Sequence, residues 1–104
     1  MQYVLLEWDH DLDDEPYRIY SELDGSRRET RRVEFYRNGL SFSYGGERGG
    51  VGALAPEPFP EDLRALRPAG EEGSSHAQSI PAGLFHEIWA QAQERPDGFL
   101  GMFF

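Results

Sequence analysis

Two strands and a tight turn are encoded in Val33-Glu34-Phe35-Tyr36-Arg37-Asn38-Gly39-Leu40-Ser41-Phe42-Ser43-Tyr44. The pair Asn38-Gly39 is the strongest hairpin signal in the chain. Apolar and polar side chains alternate on both sides of it, as they do in a strand that is buried on one face. The stretch therefore predicts an antiparallel hairpin with strands over 29–37 and 40–44.

The same alternation predicts two earlier strands, over 3–8 and 17–23. Asp24-Gly25 is a turn signal that links the second predicted strand to the hairpin. In this interpretation Val4, Leu6 and Trp8 share the apolar face of the first strand, and Tyr20 and Glu22 lie on the polar face of the second. The first 45 residues therefore predict a four-stranded antiparallel meander that is apolar on one face and polar on the other.

An amphipathic helix is predicted near the C-terminus, because Phe85, Ile88, Trp89 and Ala92 recur at helical spacing. A helix over 80–95 could cover the apolar face, which gives an α+β fold. We expect one domain over 1–104. Its predicted parts are the meander over 1–45, a Gly- and Pro-rich connection over 46–79, the helix over 80–95 and an apolar tail over 96–104.

Composition restricts the kinds of partner. The 104 residues carry a formal net charge of −9, which repels nucleic acid and anionic membranes and attracts basic proteins. The chain has no cysteine, so it has neither disulfides nor cysteine-ligated zinc. A small domain without disulfides fits a reducing compartment, and no signal sequence or membrane span is evident. We expect a cytoplasmic protein of undetermined oligomeric state.

Six carboxylates occur within the nine residues from Glu7 to Glu15, without a Lys or Arg among them. This loop follows a predicted strand and suits a basic protein partner or a hard cation. Asp9, Asp11 and Asp13 have the spacing that opens a calcium loop, but Asp14 replaces the glycine that such a loop requires. A weak divalent-cation site remains an alternative, whereas the prediction itself includes no metal and no cofactor. The predicted partner-binding residues are Trp8, Asp9, His10, Asp11, Asp13, Asp14, Glu15, Tyr20 and Glu22.

Catalytic signatures are missing from the sequence: it has no nucleophile elbow, and its glycine-rich stretch lacks the ending of a phosphate loop. We therefore expect a non-enzymatic protein. The alternative is a small enzyme or small-molecule-binding domain that uses the polar face of the sheet. Its ligand site would be formed by Tyr20, Glu22, Arg31 and Glu34.

Several short motifs resemble a family of short bacterial domains of unknown function. They are Trp8-Asp9-His10-Asp11, Asp14-Glu15-Pro16, Tyr20-Ser21-Glu22-Leu23-Asp24, Arg31-Arg32-Val33-Glu34-Phe35-Tyr36-Arg37-Asn38-Gly39 and Phe85-His86-Glu87-Ile88-Trp89. The family is similar in size and style to immunity proteins of bacterial toxin systems. The leading hypothesis is therefore an immunity or antitoxin-type inhibitor whose acidic loop occupies the basic site of a toxin that acts on nucleic acid. Trp8 and Tyr20, if exposed, could anchor that contact.

Overall fold

The computed structural model describes residues 1–68 and 73–94 and confirms an α+β fold. The four predicted strands and the helix are present. The strands are β1 (Gln2–Asp9), β2 (Arg18–Leu23), β3 (Glu29–Phe35), β4 (Ser41–Gly45), β5 (Ser74–Ser79) and β6 (Gln93–Glu94), and the helix is α1 (Ala82–Gln91). Short 3-10 turns occupy Gly46–Arg48, Val51–Ala53 and Leu63–Ala65.

All of these strands belong to one sheet, in the order β5-β1-β2-β3-β4-β6. The predicted meander of β1 to β4 is correct, and its neighbouring strands are antiparallel. A sheet of only four strands is wrong, because β5 pairs antiparallel with β1 and the two-residue β6 pairs parallel with β4. The sequence of β5 is polar and lacks apolar alternation, so the open backbone edge of β1 explains this strand better than its side chains do.

The helix covers the face of the sheet that carries Tyr3, Leu5, Tyr20 and Val33. We call this the helix face. The register places Leu5 opposite Tyr20 and Tyr20 opposite Val33, so these side chains meet beneath the buried ring of Phe85. The prediction that Tyr20 lies on an exposed polar face is therefore wrong.

The opposite face, called the far face here, carries Val4 and Leu23 and is covered as well. Its cover is the irregular segment 54–68, which packs Phe59 against the sheet together with partly buried Ala55, Leu63 and Leu66. Arg27 fixes the segment, because its Nε donates to the Phe59 carbonyl at 3.1 Å and its Nη2 to the Pro60 carbonyl at 2.6 Å. Both faces of the sheet are thus buried, contrary to the predicted meander with one polar face.

The helix is shorter than the predicted 80–95 and ends at Gln91. Ala92 donates its N–H to the Ile88 carbonyl, after which Gln93 turns into the sheet opposite Phe42. The predicted apolar tail over 96–104 lies outside the described residues. Within the described part of the chain, no helix has the length and apolar character that a membrane span requires.

Candidate functional site

The acidic loop, residues 9–15, connects β1 to the approach to β2. Asp9, Asp11, Asp13 and Asp14 are exposed, and Glu15 is half-buried. These carboxylates follow a strand that is paired on both sides, so the start of the loop is fixed by the sheet. The structure therefore presents four of the predicted partner-binding carboxylates to solvent from one short segment.

His10 is buried inside this loop and holds its backbone together. Its Nδ1 accepts a hydrogen bond from the Leu12 N–H at 2.9 Å, so its Nε2 donates to the Pro16 carbonyl, also at 2.9 Å. The His10 ring packs 4.2 Å from that of Trp8, between centroids. Gly73 lies so close to the Asp9 carbonyl that a Cβ would overlap it. His10 thus shapes the loop from within, and its side chain is not on the surface.

The alternative cation site is not assembled. Within residues 1–68 and 73–94, no group of three or more His, Asp or Glu side chains is close enough to hold a metal ion. Asp9, Asp11 and Asp13 point into solvent from separate positions along the loop. The calcium-loop spacing in the sequence is therefore not accompanied by the convergence of oxygen ligands that calcium requires.

A cavity of about 220 Å³ opens on the far face, between the sheet and segment 54–68. We call it the sheet cavity. Its apolar lining includes Leu6, Trp8, Ile19, Phe59 and Leu66, and its polar lining includes Glu15, Ser21, Arg32, Glu34 and Tyr36. Trp8 is 3% exposed, so its ring lines this cavity and is not available as a surface anchor.

Arg32 lies between two carboxylates at the wall of the sheet cavity. Its Nε donates to Glu29 at 3.0 Å and its Nη1 donates to Glu34 Oε2 at 3.1 Å. Burial alone would lower the pKa of Arg32, but attraction to Glu29 and Glu34 outweighs burial and raises it. Glu34 Oε1 also accepts the Tyr36 hydroxyl proton at 2.9 Å. The cavity wall therefore carries one cation shared by two anions.

A second ion pair, between Glu22 and Arg31, lies beneath the helix and is mostly buried. Arg31 Nε donates to Glu22 Oε1 at 2.8 Å, and the guanidinium lies over the rings of Phe85 and Trp89. The hydrogen bonds from Arg31 lower the pKa of Glu22 and outweigh the opposing effect of burial. Tyr3 donates its hydroxyl proton to the same carboxylate at 3.2 Å. Glu22 is thus a satisfied internal anion that joins the sheet to the helix.

The alternative ligand site does not converge. Glu22 and Arg31 lie on the helix face with Tyr20, whereas Glu34 lies on the far face in the sheet cavity. Tyr20 and Glu22 are 7% and 5% exposed, so neither shares a surface with the acidic loop, in contrast to the predicted partner-binding set. The predicted pattern failed because strand alternation separates neighbouring residues onto two faces that are both covered.

The sequence prediction also missed cavity residues from segment 54–68. Phe59 and Leu66 stand among prolines in a stretch without helical or strand periodicity, so no pattern assigned them to the core. Isolated large apolar residues within a Pro-rich connection were the available signal, since burying such residues stabilises the fold.

A family model described as "Domain of unknown function (DUF6881)" matches residues 2–94. The match spans most of the chain, so the chain belongs to this family, and the predicted resemblance to a family of domains of unknown function is confirmed. No curated protein and no solved structure matches the chain.

Proposed function

We propose that this member of the family is a non-enzymatic binding protein that acts as an immunity or antitoxin-type inhibitor. Its partner is a basic bacterial toxin, and the acidic loop occupies the toxin's nucleic-acid-facing site. The observation that supports this proposal is the outward presentation of Asp9, Asp11, Asp13 and Asp14 from a loop closed internally by His10.

Charge supplies the physical reason. A cleft that binds nucleic acid is lined with Arg and Lys, and carboxylates spaced along a backbone can occupy the positions of phosphates. The net charge of −9 adds a long-range attraction that accelerates encounter with such a cleft. A loop held in shape before binding also loses less conformational entropy when the complex forms.

The first test is partner capture from the native host at two salt concentrations. The tagged wild-type chain should retain a basic protein at about 0.05 M salt and release much of it at about 0.5 M, because salt screens exposed charges. The purified partner should degrade or modify nucleic acid, and adding the wild-type chain should suppress that activity. Recovery of no partner, or of one whose retention is indifferent to salt, would count against the proposal.

Matched variants separate the loop from overall charge. The loop variant is D9N/D11N/D13N/D14N, and the control variant E47Q/E57Q/E61Q/E87Q removes four exposed carboxylates elsewhere. Because an exposed charge pair contributes up to about 1 kcal/mol, the loop variant should bind the partner about 10- to 100-fold more weakly. The control should bind within a few-fold of wild type. Equal weakening in both variants would contradict a specific role for the loop.

A further inference from the structure

We infer that the sheet cavity receives one arginine side chain of the basic partner. This inference rests on the proposed function and assigns a specific contact to it. Its starting point is the volume of about 220 Å³, which is below the range of about 300–1,000 Å³ typical of pockets for drug-sized ligands. A cavity of that size suits a single long side chain.

The cavity lies beside the acidic loop. Glu15 is the last residue of the loop and lines the cavity together with the adjoining Pro16. A basic surface that rests on Asp11, Asp13 and Asp14 would therefore have side chains at the cavity opening. Glu15 therefore connects the acidic loop to the cavity. The loop would attract the basic partner by charge, and the shape of the cavity would select the side chain that enters it.

The charges around the cavity favour a cation. Glu29 and Glu34 share the single guanidinium of Arg32, so these three groups together carry one excess negative charge. Glu15 adds another, and its carboxylate has no hydrogen-bond or ion-pair partner within the described residues. Arg67 also lines the cavity, but its Nη1 is engaged by the backbone carbonyls of Arg64 and Leu66. The sum of these five charges is −1.

Glu34 has the remaining capacity to bind a guanidinium. Its Oε1 accepts one hydrogen bond from Tyr36 and its Oε2 one from Arg32, whereas each carboxylate oxygen can accept two. The two remaining acceptor positions suit the two parallel donors of an arginine fork. Arg32 would keep Glu29 as its partner when the cation binds Glu34. Hydrogen bonds from Ser21 and from the Ala55 N–H hold the Glu29 carboxylate in place beside Arg32.

The apolar lining suits the rest of an arginine side chain. Trp8, Phe59 and Leu66 provide surface for the methylene stem, which arginine buries readily while its head remains hydrogen-bonded. The aromatic faces of Trp8 and Tyr36 add attraction for a planar cation. The cavity suits an anionic ligand poorly. Arg32, which lines the cavity, is already paired with two carboxylates, Glu29 and Glu34.

The test uses a blocked peptide, acetyl-Gly-Arg-Gly-amide, and the same peptide with neutral citrulline in place of arginine. The readout is the pair of tryptophan indole N–H signals in a ¹H–¹⁵N correlation spectrum, because Trp8 lines the cavity and Trp89 belongs to the helix on the opposite face. The arginine peptide should shift the Trp8 signal saturably, with a Kd of about 1–10 mM, and should leave the Trp89 signal in place. The citrulline peptide should produce no saturable shift.

Three variants make the test specific. Glu34→Gln should weaken the arginine peptide at least about tenfold, since a buried charge-assisted pair is lost. Glu15→Gln neutralises a carboxylate that has no partner within the described residues, so weaker peptide binding by this variant would not reflect lost folding. Glu57→Gln, on the exposed part of segment 54–68, should bind like wild type.

Several results would overturn the inference. They are the absence of a saturable Trp8 shift, equal binding of the citrulline peptide, and free arginine binding more than about tenfold tighter than the peptide, which would indicate a small-molecule site. A captured partner that depends on the acidic loop but binds Glu15→Gln and Glu34→Gln variants normally would also overturn it, with the proposed function intact. Peptide binding in the cavity without any captured basic partner would instead contradict the proposed function.

Discussion

The helix face and the far face of the sheet are built from alternate residues of the same strands, and each contains a carboxylate–arginine pair. On the helix face, Glu22 and Arg31 are covered by the rings of Phe85 and Trp89. On the far face, Glu34 and Arg32 border an open cavity, because the cover is an irregular segment without a regular packing stripe. The same kind of ion pair therefore joins the sheet to the helix on one face and borders a cavity on the other.

The comparison shows that the covering element decides whether space remains beside the ion pair. A helix offers side chains at regular spacing, so its apolar stripe can fill the space above a flat sheet. Segment 54–68 contains four prolines and supplies Phe59 and Leu66 at irregular spacing. It anchors itself by backbone contacts to Arg27 and leaves space beside them.

Truncating the central aromatic of each cover should give the largest effect and the clearest contrast. We expect Phe85→Ala to lower the free energy of unfolding by about 4–5 kcal/mol, since Phe85 is fully buried between Tyr3 and Trp89. Phe59→Ala should cost less, about 3 kcal/mol, because Phe59 already borders a cavity. Urea unfolding followed by circular dichroism measures both. A larger loss for Phe59→Ala would reverse the comparison.

Neutralising one carboxylate on each face should give the next largest effect. Glu22→Gln leaves the mostly buried Arg31 without a counterion and should cost about 3 kcal/mol. Glu34→Gln should cost about 1 kcal/mol, because Arg32 keeps Glu29 and water can enter the cavity. Equal losses in the free energy of unfolding, measured with urea, would show that the far-face pair stabilises the fold as much as the helix-face pair does. Asp11→Asn, in the exposed loop, is the near-neutral control.

The smallest expected effect is on the acid sensitivity of the fold. The pKa of Glu22 is lowered from its ordinary value of 4.5, chiefly by the hydrogen bonds from Arg31. The stability that the Glu22 carboxylate contributes is therefore fully present above pH 4.5, and it is lost as the pH falls through the lowered pKa of the folded state. The Glu22→Gln variant should lose less stability than wild type between neutral pH and about pH 2. Urea midpoints across that range test the difference, and parallel curves would contradict it.

The hairpin and the helix follow from local patterns in the sequence. The Asn38-Gly39 turn and the alternation around it fix the hairpin of β3 and β4, and the spacing of Phe85 and Trp89 fixes the buried stripe of the helix. These features depend on neighbours a few residues apart, so a single sequence contains them. The family resemblance adds the expectation of a short domain of unknown function, which the family match confirms.

The candidate site was only partly predictable. The exposed carboxylates of the acidic loop could be identified from charge density alone, because a run of like charges without counterions avoids burial. The burial of His10 and Tyr20 could not, since each is an ordinary surface candidate until a distant segment covers it. Glu34 was expected beside Tyr20 and Glu22, and the structure separates it from them by the thickness of the sheet.

By itself, the sequence determined the four strands of the meander, the buried stripe of the helix and the acidic loop, because period and charge are local properties of the chain. Only the tertiary structure decided that β5 extends the sheet, that both faces are covered, and that Glu15 and Glu34 meet around one cavity. Those outcomes depend on which distant segments bury which apolar surface. When apolar side chains occur on both faces of a strand, alternation shows that two faces exist but does not assign a cover to either.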